Sequence, residues 1–166
     1  MVLGMSLATF TQVHVAISLI GIVSGLIVVF GMLNGKLLHA WNGLFLLTTV
    51  LTNVTGFFFP FEGLKPSYIV GTISLLLLGT AIVARYAQNL AGGWHRTYVI
   101  CAVLALYLNV FVLVVQSFLK VPALHALAPE GKEPPFLVAQ TIVMAIFIAL
   151  GVGAAKKFRN SLVRTA

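Results

Sequence analysis

The chain carries four histidines, His14, His39, His95 and His125. His39 and His95 each open a long apolar run, 56 residues apart. Neutral imidazole nitrogens ligate haem iron, and a bis-imidazole haem takes its axial bonds from opposite faces of the macrocycle. Two histidines at equal depth on parallel helices would supply that clamp for a haem b. Arg96 and Arg85 stand on the same side and suit the propionates, because guanidinium pairs with carboxylate through two donors. His14 is a further cofactor-binding candidate, with His125 as its partner in a second site. Alternatively His125, in "VPALHALAPEGKEPP", joins Glu130 and Glu133 in a weak surface metal site. The plain readings are interfacial imidazoles beside Trp41 and Trp94, and a solvated loop histidine.

Each of the two runs also holds a carboxamide. Asn53 follows His39, and Asn109 follows His95, by fourteen residues, which is about 21 Å along a helix and within about 40° of the same face. Asn42, Thr49 and Gly56 extend the stripe on the first run, and Gln116 falls near it on the second. Polar stripes in lipid face protein or an enclosed cavity. The default role of Asn53 and Asn109 is interhelical hydrogen bonding, worth about 1 kcal/mol each. The functional alternative is contact with a quinone or another substrate, and electron transfer would imply a redox partner.

No other chemistry is visible. Aspartate is absent, and the three acids, Glu62, Glu130 and Glu133, lie between apolar runs. There is no paired-carboxylate site, zinc-hydrolase motif, phosphate loop or nucleophile-base pairing. A carboxylate within the membrane, the usual device of proton-coupled transport, is missing. The only cysteine, Cys101, sits in an apolar run, so no disulfide frame forms. The net charge of +7 forms no patch interleaved with aromatics, which argues against a nucleic-acid partner.

The elements that must position these residues follow from composition. Of 166 residues 60% are hydrophobic and 8% charged, about a third of the charge a soluble domain carries. This composition describes a single membrane-embedded helical domain over residues 1–166, with the bilayer as its main partner. Runs at about 10–33, 37–60, 67–87, 94–119 and 134–156 each approach the ~20 residues that a crossing helix needs. An all-α polytopic bundle of five transmembrane helices is expected. Seven cations (Lys36, Arg85, Arg96, Lys156, Lys157, Arg159 and Arg164) fall on one side; Lys65, Lys120, Lys132 and all three acids fall on the other. The positive-inside rule then sets the N-terminus outside and the C-terminus in the cytoplasm, as in a multi-pass protein of a bacterial inner (plasma) membrane.

Shifting the chain by 56 residues overlays the first two runs on the next two. "HVAISLIGIVSG" meets "VGTISLLLLGTA", and "HAWNGLFLLTTVLTNV" meets "HRTYVICAVLALYLNV", with His39 over His95 and Asn53 over Asn109. Two related helical hairpins plus a fifth helix are expected.

At "LLHAWNGLFLLTTVLTNVTGFFF" and "GGWHRTYVICAVLALYLN" the chain resembles a family of small bacterial polytopic membrane proteins of unknown function. That family carries His-Arg-x-x-Gly at the start of one span and His-Arg with a tyrosine at the start of a later one. His39, Gly43, His95, Arg96 and Tyr98 match, and His14 fits a histidine of the first span; Ala40 replaces the first arginine. The resemblance covers about residues 10–120. In arrangement alone, the histidines also resemble those of bis-histidine b-type membrane cytochromes. Two readings stand: a haem b electron-transfer protein, or a non-catalytic membrane subunit or small-molecule carrier with a polar intramembrane cavity.

Overall fold

The computed structural model describes residues 2–60 and 66–164, the last six as helical backbone only. Glu62 and Lys65 lie outside the described residues. The described chain is helical: α1 Leu7–Leu33, α2 His39–Gly56, α3 Pro66–Ile82 continued by a π-helical turn Val83–Ala87, α4 Trp94–Lys120, the short α5 Pro122–His125, and α6 Pro134–Arg164. Four of them are long and apolar enough to cross a membrane: α1, α3 with its π turn, α4, and α6 as far as Phe158.

Helix α1 starts three residues before the apolar run, because Ser6 caps it by accepting from the Thr9 amide at 3.1 Å. Helix α2 is shorter than the expected 37–60. It begins at His39 and stops at Gly56, because Pro60 disfavours helical backbone at the residue before it. The three phenylalanines after Gly56 do not extend the helix. Phe59 instead folds back against Phe10 and His14, at ring-centroid distances of 4.9 and 5.1 Å. At 18 residues, about 27 Å, and rich in Thr and Asn, α2 is not among the four strongly apolar helices.

The third run does not hold α-geometry to residue 87. Its last turn widens to a π-helix at Val83–Ala87 and ends through Asn89 and Leu90, both at positive φ (48° and 60°). A buried leucine in the left-handed region is strained and has to be held by its surroundings. Glu133 fixes the turn that leads into α6: its carboxylate accepts from the amides of Glu130 and Lys132, each at 2.9 Å, ahead of Pro134 at the first helical position.

Helices α1 to α4 pack in a ring, each against its chain neighbour and α4 back against α1. Register is set by named contacts. His14 pairs with Thr55, and the Gly31 backbone lies against Leu38, so α2 retraces α1 in the opposite direction. Phe57 stacks near Tyr68, while His39 meets Arg85, so α3 retraces α2. Tyr98 meets Asn42, so α4 runs parallel to α2. Helix α6 lies outside the ring against α4 and α1; Tyr107 and Phe147 stand 5.8 Å apart, Phe118 and Phe136 5.4 Å. Gln140 donates to the Phe111 carbonyl at 3.2 Å.

The tightest packing is at Gly25, where an added Cβ would lie 2.7 Å from Leu106 and 2.8 Å from Phe45. The outer faces stay apolar. Ile69, Ile73 and Leu76 on α3 are exposed, as are Leu137, Ile142, Ile146 and Ile148 on α6. Water would not tolerate so continuous an apolar surface.

Candidate functional site

The ring is not packed solid along its length. At the end holding the start of α1, the four helices part around a cavity of about 690 Å³, within the usual range for small-molecule sites. Its depth follows α4 from Lys120 at the mouth to Asn109 at the floor, eleven residues or about 16 Å. Its walls are apolar, with Ile22, Leu108 and Val112 among them, and its polar groups come from all four helices.

His14 lines the cavity from α1. Its Nδ1 lies 2.8 Å from Thr55 Oγ1. The Thr55 hydroxyl proton is already donated to the Leu51 and Thr52 carbonyls, at 2.7 and 3.1 Å. Thr55 must therefore accept, His14 carries its proton on Nδ1, and Nε2 is left with the lone pair. Asn53 lines the cavity from α2, its amide donating to the Thr49 carbonyl of its own helix at 2.8 Å. Asn109 lines it from α4, with Nδ2 buried and without a partner. Gln116 and Lys120 stand nearer the mouth.

The interhelical hydrogen bonds expected of Asn53 and Asn109 are not made by their amide donors. Neither amide bonds across helices; Asn53 turns back on its own backbone and Asn109 donates to nothing. The ties are made by Asn42 with Tyr98 and by His14 with Thr55. Asn42 shares the Asn53 face of α2, eleven residues away and within about 20°. It is fully buried in the opposite half of the bundle, accepting from the Tyr98 hydroxyl.

A second polar cluster closes that opposite end. Arg85, set by the π turn, donates to His39 Nδ1 at 2.6 Å and lies over the Tyr86 ring. Guanidinium can only donate, so neutral His39 carries its proton on Nε2. His95 is the reverse case. Its Nδ1 donates to the Gly92 carbonyl at 2.5 Å, and Nε2, with the lone pair, is buried and partnerless. A ring held through Nδ1–H by a backbone carbonyl is the usual posture of a metal-ligating histidine. His39 and His95 each precede, by one turn, the two residues that bond across α2 and α4. Arg96 is exposed beside His95.

His125 is exposed in α5, and the Glu133 carboxylate is held by the Glu130 and Lys132 amides. Among the described residues no three of His, Cys, Asp and Glu come together.

Several cavity residues were not singled out by sequence. Ser18 and Ser74 both line it, and their signal was the Ile-Ser-Leu shared at a shift of 56 residues. Tyr68 and Lys120, and Thr55 as the partner of the cavity's His14, had no such signal, since they matter only through the helices they face. In comparison with known proteins, the chain matches no family model, no curated protein and no solved structure. The site's chemistry therefore rests on its geometry.

Proposed function

We propose that this chain is a multi-pass membrane protein that binds one amphipathic small molecule in the cavity between α1 and α4, as a carrier or ligand-binding subunit. The observation that carries this reading is the buried, partnerless Nδ2 of Asn109 at the floor of a 690 Å³ apolar-walled space. A buried donor without a partner costs about 1–3 kcal/mol. A small turn of the Asn109 amide toward the cavity it lines would let a ligand acceptor remove that cost, and the walls take up an apolar body.

In this reading α2 is the fifth crossing helix, since it retraces α1 and returns the chain to the side from which α3 starts back. The N-terminus lies outside, the cavity opens to the outer leaflet, and the cation-rich end holding Lys36, Arg85, Arg96 and Lys156 faces the cytoplasm of a bacterial inner membrane. The test is native mass spectrometry of protein extracted in mild detergent. A retained amphiphile is expected, lost in Asn109→Leu. An empty protein that shows no saturable amphiphile binding overturns the proposal.

A haem b held by His39 and His95 is the second reading, favoured by the free, buried Nε2 of His95. It requires Arg85 to release His39 Nδ1, so that the proton moves there and frees Nε2. The released guanidinium, with Arg96, would then meet the propionates. Because Tyr98 and Asn42 join α2 to α4 one turn deeper, the macrocycle would lie at the mouth of that end. Bound haem would supply one-electron transfer. A Soret band after growth with added haem, abolished in His95→Ala, supports the reading; its absence ends it.

A further inference from the structure

Most hydroxyls that line the cavity have already donated their hydrogens. Thr11 and Ser18 on α1, Thr52 on α2 and Ser117 on α4 each donate, at 2.8 Å, to the carbonyl four residues earlier in their own helix. What they have left for a ligand is lone pairs. Asn53 gives an amide hydrogen to Thr49 in the same way, and neutral His14 offers Nε2 as an acceptor. The α1 and α2 sides of the cavity are therefore rich in acceptors, and α3 adds the hydroxyls of Ser67 and Ser74, which can do either.

Helix α4 has the opposite character. Asn109, Gln116 and Lys120 are seven and four residues apart, within about 40° on one face, and all three carry N–H donors. Lys120 is the only charged side chain that lines the cavity, and no carboxylate among the described residues lines it. Glu130 and Glu133 stand in the connection before α6, where the second is held by backbone amides. Of the four helices around the cavity, α1 and α3 start at this end and α2 and α4 finish there. Their dipoles therefore largely offset one another, and Lys120 sets the charge of the mouth.

A cationic head at the mouth would meet Lys120 with no carboxylate to offset it, and a neutral head would gain hydrogen bonds alone. An anionic head gains charge-assisted hydrogen bonds from Lys120 and a further donor in Gln116. Deeper in, the lone pairs of His14 and the α1 hydroxyls repel an anion, which keeps such a head at the mouth. One cation matches a monoanionic carboxylate better than a phosphate monoester, which carries nearly two charges. At about 30 Å³ for a group the size of a water molecule, the cavity's 690 Å³ takes up about two dozen such groups. That is room for one long chain and its head, not for a lipid with two chains.

We propose that the ligand is a single-chain amphiphile with a carboxylate head, held at the mouth by Lys120 and Gln116, its chain lying past Val112 toward Asn109. This assignment rests on the cavity-binding reading above and adds to it the sign of the head group; the acceptor taken by Asn109 is an oxygen on the chain.

The test is equilibrium binding to the protein in nanodiscs of zwitterionic lipid, above neutral pH, with partition into empty nanodiscs subtracted. Three probes share one chain and differ in the head: ricinoleate, ricinoleyl alcohol and ricinoleyl amine. Their common mid-chain hydroxyl gives Asn109 its acceptor. The carboxylate is expected to bind about five-fold more tightly than the alcohol, with the amine weakest. Lys120→Gln should bring carboxylate and alcohol to equal affinity, and Lys120→Glu should make the amine the tightest of the three. Lys36→Gln, an exposed cation at the opposite end, is the control and should leave the order unchanged. Asn109→Leu should weaken all three alike and keep their order. Equal binding of the three heads, or an order that Lys120→Glu does not invert, overturns the carboxylate assignment and leaves the cavity reading intact. A preference that disappears in Lys36→Gln and persists in Lys120→Gln overturns it likewise. Failure of all three probes to bind saturably overturns both.

Discussion

Tyr98 donates its hydroxyl to Oδ1 of Asn42, joining two helices that are otherwise diagonal across the ring, at positions 56 residues apart. Both side chains are fully buried. Tyr98→Phe leaves the Asn42 carboxamide with neither of its ends satisfied, since Nδ2 already has no partner. A loss of about 1–2 kcal/mol is expected, read as a lower unfolding midpoint in detergent. Adding Asn42→Leu to Tyr98→Phe removes the stranded amide and should recover part of that loss. A double variant as unstable as the sum of the singles would show the two residues to be energetically independent.

Gly25 should be the least replaceable glycine. A methyl group there collides with Leu106 and with Phe45, which is 1% exposed and has no room to yield. Gly25→Ala is expected to cost about 1–3 kcal/mol by overpacking. Gly79→Ala, with nothing within 4 Å, is the control and should leave the midpoint unchanged or raise it. Equal effects of the two would contradict the three-helix contact at Gly25.

The turn before α6 should loosen in acid. Amides of Glu130 and Lys132 donating to the Glu133 carboxylate hold its pKa below the ordinary glutamate value. A depressed carboxylate contributes its stabilisation above its unfolded pKa and loses it as pH falls through the folded one. Hydrogen exchange at the Glu130 and Lys132 amides should therefore stay slow at neutral pH and quicken, relative to the unprotected rate, only as pH falls below the ordinary glutamate range. Glu133→Gln should show weaker protection at neutral pH. Protection that persists unchanged down through that acid range would remove this contact from the account.

Topology has its own measurement. With Cys101 replaced by alanine, Ala126→Cys should react with a membrane-impermeant maleimide in intact cells, and Ala91→Cys only after lysis. Both positions are exposed, at opposite ends of the bundle. The reverse pattern would invert the proposed orientation and turn the cavity toward the cytoplasm.

Much of this was legible in the chain itself. Apolar run length and the scarcity of charge are properties of composition, so an all-helical protein with membrane-crossing helices could be read without coordinates. The Ile-Ser-Leu match set Ser18 and Ser74 at one offset, but nothing in the chain alone marked them as cavity residues. Side-chain partnership was beyond such reading. Whether Asn53 bonds a neighbouring helix or its own Thr49 carbonyl depends on rotamer and helix rotation, to which hydropathy is blind. Helix α2 ends at Gly56 although its run of phenylalanines continues, because Pro60 disfavours helical backbone at Phe59, which packs instead on Phe10 and His14. Only packing decided which nitrogen of each histidine bears the proton, since Thr55, Arg85 and Gly92 come from three different segments. The close approach at Gly21 is likewise tertiary: a glycine is visible in any sequence, but Thr49 and Asn109, which lie against it, arrive from separate helices.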